Sequence, residues 1–289
     1  MNVEKKPQWL KAPYNRAAVE EVAALMKDLK LNTVCNEANC PNLGECFRKH
    51  TATFMILGAN CTRNCRFCNI HCGAPEPVDP EEPRHLAEAA KKLGLRHVVV
   101  TSVTRDDLPD GGAAHFAAVI RALHELCPDA TVEVLIPDLK MNTQALDTVL
   151  DARPDVLNHN VETVRELYQA VRPQAIYTRS LDVLAYCKKR NPDILVKTGF
   201  MVGLGETEEQ IDALMDDILA TGCDILTIGQ YLRPSPEHAP LMRYVTPEEF
   251  EAYKRKALEK GFKYCASTPL VRSSYRAAEA ISAARGERA

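Results

Sequence analysis

Three cysteines within eight residues carry the densest chemistry in this chain. The segment CTRNCRFC holds Cys61, Cys65 and Cys68 in a C-x3-C-x2-C spacing directly after the apolar run FMILG. Three thiolates on so short a loop can hold three corners of a four-iron cube and leave the fourth iron without a protein ligand, open to a cofactor or substrate. A structural zinc site would show two separated pairs closing a set of four ligands. Cys72, the next cysteine along, keeps zinc open as an alternative. A second triplet, Cys35, Cys40 and Cys46 in CNEANCPNLGEC, is spaced C-x4-C-x5-C in a polar loop with Pro41 and Gly44. These can be ligands or buried apolar thiols, although Asn and Glu around them offer little to be buried in. The other cysteines, Cys72, Cys127, Cys187, Cys223 and Cys265, are isolated and read as small hydrophobes.

These residues need a scaffold. The chain has 289 residues, 46% hydrophobic and 26% charged, with a formal net charge of −3. That composition describes an ordinary globular protein and argues against a non-specific nucleic-acid or membrane-surface binder. The total of 11 cysteines cannot all pair, and MNVEKKPQWLKAP has no apolar run long enough for a signal peptide or anchor, so a reducing cytoplasm is expected. An amphipathic helix is expected from Arg16 to Leu31, with Ala18, Val22, Leu25 and Leu29 on one face. Beyond it, β-rich runs at 54–58, 97–103, 131–137, 155–162, 194–203 and 224–232 alternate with helical segments. Near-continuous Val, Ile and Leu in each run predicts a parallel sheet covered by helices, either a partial (β/α) barrel, which we favour, or an open doubly wound sheet. Both put ligand chemistry at the carboxyl ends of the strands. Ser102, Thr104, Arg105, Asp106, Asp107, Asn158, Asn160, Glu162, Gln230 and Arg233 collect there, with Lys197 inside the fifth run. Each can equally be a helix cap or loop residue, and the adjacent Asp106 and Asp107 read as surface and capping groups. GLGE at 203–206 lacks the third glycine of a dinucleotide fingerprint.

The CTRNCRFC loop, with Phe67 before its last cysteine, resembles the cluster loop of radical S-adenosylmethionine enzymes. CNEANCPNLGEC and VRSSYRA at 271–277 narrow the resemblance to the lipoyl synthase family. PQWLKAP, TSVTRDDLPDGGAAHF, NHNVETV, KTGFMVGLGET and GQYLRPSPEHAP extend it along nearly the whole length. The resemblance implies an α/β fold, a partial (β/α)6 barrel over residues 51–265. An N-terminal extension over 1–50 carries the first cysteine loop, and a C-terminal extension over 266–289 carries the RSSY motif. It implies a sulfurtransferase that inserts sulfur at C6 and C8 of a protein-bound N6-octanoyl-lysine to give lipoyl-lysine. Cys61, Cys65 and Cys68 would hold a [4Fe-4S] cluster whose open iron binds S-adenosylmethionine, the source of a 5′-deoxyadenosyl radical. Cys35, Cys40 and Cys46 would hold an auxiliary [4Fe-4S] cluster, consumed as sulfur donor, with Ser273 on its fourth iron. Read from sequence alone, Ser273 or Ser274 is an ordinary helix N-cap. No acid/base residue is required, because unactivated C–H bonds resist such chemistry.

Phe67, Thr104, Asn160, Glu162 and Lys197 are candidate cofactor-wall residues, Phe67 as an adenine neighbour and the others from strand position. Cys72 departs from the family pattern and is expected not to ligate iron. Implied partners are octanoylated lipoyl carrier domains of 2-oxoacid dehydrogenase E2 subunits and of the glycine cleavage H protein. An electron donor such as ferredoxin or flavodoxin and an iron-sulfur carrier are also implied, with no nucleic acid and no membrane. The rival readings are a sulfur-inserting enzyme of the biotin synthase type, a zinc-stabilised binding module, and an interaction protein with inert cysteines.

Overall fold

A parallel sheet has both faces covered, so its strands can be apolar throughout and must be joined by long crossovers. The computed structural model describes residues 6–10, 31–33, 51–274 and 277–286, and in it the Val-, Ile- and Leu-rich runs do this. The strands are β1 (Asn32–Thr33), β2 (Thr51–Ile56), β3 (His97–Ser102), β4 (Thr131–Leu135), β5 (Val156–Asn158), β6 (Leu195–Val202), β7 (Ile225–Gln230) and β8 (Tyr264–Ser267). They lie side by side in chain order in one sheet, with β1 and β8 as its two edges. β1 runs antiparallel to β2, and β2 to β8 are parallel.

The crossovers are α1 (Glu82–Lys92), α2 (Ala113–Leu126), α3 (Thr143–Asp151), the short α4 (Tyr168–Val171) with α5 (Tyr177–Arg190), α6 (Glu208–Ala220) and α7 (Pro247–Lys260), with α8 (Ala277–Ala284) after β8. Their apolar stripes face the sheet, as in α2, where Phe116, Val119, Ile120 and Leu123 are buried. Helix starts follow local chemistry. Thr207 with Gln210 and Thr246 with Glu249 form capping boxes on α6 and α7, satisfying backbone donors that the first turn leaves free.

The expected partial (β/α)6 barrel is present as the six βα units from β2 to β7, and the sheet is open. Two strands escaped the sequence reading. β1 is two residues long, and β8 reads YCAS with alternating burial in place of an apolar run. The helix expected at 16–31 lies outside the described residues apart from Leu31.

Alternation along a strand fixes what fills the interior. Val99, Leu135 and Gly199 line the main cavity. His97, Glu133 and Lys197, each two residues earlier on the same strand, point into the same interior one layer below. There Lys197 Nζ meets both Glu133 oxygens at 2.8 and 3.1 Å, His97 Nε2 lies 3.5 Å from Glu133, and Asn158 Nδ2 donates to Glu133 at 3.2 Å. Burial opposes the charge on Glu133, but Lys197 and His97 outweigh it and hold the carboxyl at about 2.

Candidate active site

The C-x3-C-x2-C loop leaves β2 through Leu57 and Gly58, both at positive φ. Gly58 turns at φ +91°, where a side chain would be strained, with the exposed Glu76 carboxylate 2.5 Å from where a Cβ would stand. The loop is then fastened to the carboxyl ends of several strands. Thr62 N and Oγ1 both donate to the Thr104 carbonyl after β3, at 3.0 and 2.9 Å. Asn64 N donates to Gln174 Oε1 at 2.8 Å, and Arg66 N to the Val171 carbonyl at 2.8 Å. From beyond β7, Ala239 N donates to the Arg66 carbonyl at 2.7 Å and His238 Nε2 to the Cys68 carbonyl at 3.0 Å.

The main fastening is Arg63, between the first two cysteines. Its guanidinium grips Asp106 after β3 (Nε–Oδ2 2.7 Å, Nη2–Oδ1 2.9 Å) and Asp138 after β4 (Nη1–Oδ2 3.0 Å, Nη2–Oδ1 2.7 Å). Arg63 is buried, and a planar fork is the side chain able to satisfy two carboxylates at once. Although burial works against each charge, the pairing holds Asp138 well below the ordinary carboxylate range and Arg63 well above its usual value. Asp106 was expected as a surface and capping group. It is instead an anchor of the cysteine loop, while Asp107 pairs with Arg105 at the rim.

The three thiols suit a metal cluster. Cys61 Sγ accepts backbone N–H bonds from Arg63 at 3.4 Å and Thr104 at 3.3 Å, the kind of support that orients a ligating sulfur. Burial pushes the Cys65 thiol up, with Glu162 and Cys61 adding to the push. It carries Cys68 to about 12, and there Cys65, Cys61 and Glu162 add to it. Crowded thiols of this kind keep their protons until a cationic centre draws out the thiolates. Among the described residues no three of His, Cys, Asp and Glu surround a point that a single ion would take. Each thiolate of a four-iron cube sits on its own iron and needs no such common point. Cys72 is exposed, its backbone paired beside Cys61, so it is neither an apolar core thiol nor turned inward. Cys187, Cys223 and Cys265 are core residues and Cys127 is half-buried.

Cys68 and Phe67 open onto a cavity of about 480 Å³ at the carboxyl ends of the strands. Asn160 and Glu162 form part of its wall beyond β5. Asn160 Nδ2 donates to Glu162 Oε1 at 3.1 Å and to Ser273 Oγ at 2.7 Å. Ser273, 212 residues along the chain from Cys61, therefore reaches the same cavity as Cys68. Gly229 makes room for it: a Cβ there would collide with the Val271 carbonyl, which crosses the barrel mouth at that point. Gly199 similarly clears space below Asn160 and Thr227.

Two expected wall residues lie elsewhere. Lys197 does not line the cavity, because its ammonium is held in the layer beneath by Glu133. Thr104 lines a second cavity of about 310 Å³ with Asp106, Lys140 and Asn142, and its backbone serves the cysteine loop. Cys35, Cys40 and Cys46 lie outside the described residues. Gln230 is a structural pin, donating to the Val202, Tyr231 and Arg243 carbonyls and accepting from Val245 N. Arg233 shapes the 233–238 turn through the Pro236 and His238 carbonyls. Arg63 and Arg172 were not singled out from sequence. The one signal was the position of Arg63 inside the cysteine loop.

A cysteine loop at the carboxyl end of the first parallel strand of an open βα barrel defines a class. Residues 55–218 match the radical SAM superfamily model, and the chain belongs to that superfamily. It resembles the solved structures of HydG, a maturase of the [FeFe]-hydrogenase (TM-score 0.58, 17% identity, 85% of this chain and 62% of that one) and methylornithine synthase (TM-score 0.52, 16% identity, 77% and 68%). At those identities the likeness concerns the fold. The sequence relatives are much nearer. It is 57% identical to the lipoyl synthase of Caldanaerobacter subterraneus over 98% of this chain and 99% of that one. It is 56% identical to the lipoyl synthase of Rubrobacter xylanophilus (97% and 88%), and 54% to that of Thermus thermophilus (94% and 85%). Within the superfamily, the chain belongs to the lipoyl synthase family. Among the described residues no helix is long and apolar enough to cross a membrane.

Proposed function

We propose that this chain inserts sulfur at C6 and C8 of an octanoyl group in amide linkage on a carrier-protein lysine, giving lipoyl-lysine. The observation that carries the reading is the convergence of Cys68, from the cysteine loop, and Ser273, from the RSSY motif, on one cavity. Cys61, Cys65 and Cys68 are the residues to hold a [4Fe-4S] cluster, and Cys35, Cys40, Cys46 and Ser273 the residues to hold a second one. Together with S-adenosylmethionine, the first group supplies one-electron chemistry able to break an unactivated C–H bond, and the second supplies sulfur.

The chain's own residues bind, orient and exclude water. Arg63 fixes the spacing of Cys61 and Cys65 by tying their loop to two strand ends. Glu162, and Asn160 through its unpartnered Oδ1, offer acceptors to the polar part of the cofactor, and Phe67 offers an apolar face. Phe200, Met201 and Leu135 supply apolar wall to the cavity, which suits an alkyl chain and keeps water away from a reactive carbon. Asn160 also orients Ser273 through their hydrogen bond, linking the two ligand sets. On this proposal the chain divides into an N-terminal extension over 1–50, a barrel over 51–265 and a C-terminal extension over 266–289. The partners are octanoylated carrier domains of the 2-oxoacid dehydrogenases and the glycine cleavage system, a low-potential electron donor and an iron-sulfur carrier, in the cytoplasm.

The anaerobically reconstituted chain should hold about eight irons, four per cluster, and convert a peptide bearing N6-octanoyl-lysine to the lipoyl peptide. Conversion should vanish in Cys65→Ala. An iron-loaded chain that leaves the octanoyl peptide unchanged contradicts the proposal, and an iron content near four removes the second site.

A further inference from the structure

Charge and hydrogen bonds around the sulfurs tune the potential of an iron-sulfur centre, and one buried cation of this site, Arg172, neither lines the cavity nor fastens the cysteine loop to a carboxylate. Arg172 follows α4 and is 8% exposed. Its Nη1 is engaged by the Asn160 carbonyl at 3.0 Å, the Val161 carbonyl at 3.2 Å and the Tyr168 hydroxyl at 2.6 Å. Its Nε is buried with no hydrogen-bond partner. The bond from Arg66 N to the Val171 carbonyl sets the peptide after Cys65 against the peptide before Arg172, and the Arg172 side chain acts on the Cys65 thiol through its charge and a hydrogen bond. Arg63, the other buried cation of the loop, already faces the two carboxylates of Asp106 and Asp138. Arg172 acts by charge on the Cys65 thiol and on the carboxylates of Glu162 and Asp138.

The guanidinium is also held in place. From Arg172 the donors run outward through the Tyr168 hydroxyl to Ser180 Oγ at 2.6 Å and on to His159 Nε2 at 3.0 Å, while His159 Nδ1 donates to the Ile136 carbonyl at 2.8 Å. Burial holds His159 neutral, down at about 4, as this direction of donation requires. Burial raises the Cys65 thiol, and Arg172 pulls the other way. Its charge therefore reaches the sulfur.

We propose that Arg172 makes the cluster on Cys61, Cys65 and Cys68 easier to reduce, by placing a permanent positive charge beside Cys65 in a site of low dielectric. This rests on the assignment of that loop under Proposed function. In the step concerned one electron passes from an external low-potential donor to the cluster, no bond to Arg172 forms or breaks, and the guanidinium stays protonated throughout. The added negative charge is stabilised by Coulomb attraction across a poorly screening interior.

The test is a dithionite titration of the full-length reconstituted chain, followed by electron paramagnetic resonance on the signal that changes when S-adenosylmethionine is added. Arg172→Gln should keep wild-type iron content and become at least tenfold harder to reduce, a shift of about 59 mV to lower potential. Arg172→Lys, which keeps the charge and loses the fork, should stay close to wild type. An unmoved potential in R172Q, an equal shift in R172K, or an R172Q chain that fails to take up iron overturns the proposal, the last by marking a purely structural role. A wild-type chain whose signal never responds to S-adenosylmethionine would instead overturn the assignment of the loop.

Discussion

Arg63 satisfies two carboxylates with one guanidinium, and its loss would leave the partly exposed Asp106 to Lys140, 3.7 Å away, and strand the buried Asp138. Asp138 is buried, and the nearest other cation is Arg179, 3.4 Å from it and partly exposed. Arg63→Met should therefore cost about 3–5 kcal/mol of stability, read as a fall in melting temperature. It should also lower the iron taken up by the loop, read by iron analysis. A stable, fully loaded R63M chain would show the fastening to be dispensable. By contrast, Cys72→Ala should keep activity and iron near wild type, since the thiol is exposed; a large loss in either would place it among the ligands. The cysteine loop was legible in the sequence because its three thiols lie within a few residues of each other. Arg63 was not, because its partners are 43 and 75 positions away and only the fold brings them together. Thr104 and Lys197 were misplaced for a related reason: a position near a strand end does not tell which layer of the interior a side chain enters.

At the scale of elements, β7 and the segment after β8 are held at a separation that only glycine permits at 229. Thr268 N bonds the Ile228 carbonyl and Gln230 N the Pro269 carbonyl, both at 3.3 Å, so residues 268–273 follow the end of β7 closely. Gly229→Ala would push the Val271 carbonyl away and carry Ser273 off Asn160. The expected result is a loss of iron toward about four per chain with the S-adenosylmethionine-responsive signal retained. Retention of about eight irons would show that the RSSY segment tolerates the shift. The six strands β2 to β7 were legible because parallel strands covered on both faces are apolar without interruption. The edge strands carry no such signature, and the seating of residues 268–273 depends on a backbone contact that leaves no pattern in the sequence.

The whole molecule is an open barrel with an ionic layer closing its interior below the cavity. Lys197→Met would leave Glu133 charged and buried with only the Asn158 amide and His97 beside it. The expected cost is about 3–5 kcal/mol, a large share of a typical 5–15 kcal/mol. Lys197→Met combined with Glu133→Leu should recover part of it in thermal melts; no recovery would mean that the layer is not an ion pair. The acid response has a defined sign. His159 is depressed from 6.5 to about 4 and Glu133 from 4.5 to about 2, so the unfolded chain binds more protons in both windows and stability falls as pH falls. His159 removes its contribution from about pH 6.5 down to 4 and Glu133 from about 4.5 down to 2. Melting temperatures that hold level from pH 7 to pH 4 would contradict the neutral buried His159.

The proposed function has both ligand sets serve a single transformation, and following the sulfur tests that directly. The chain reconstituted with isotope-labelled sulfide and given unlabelled medium and an octanoyl-lysine peptide should deliver the label into the lipoyl product at both C6 and C8. A lipoyl product free of label would contradict the account, since the sulfur would then come from outside the protein's own clusters.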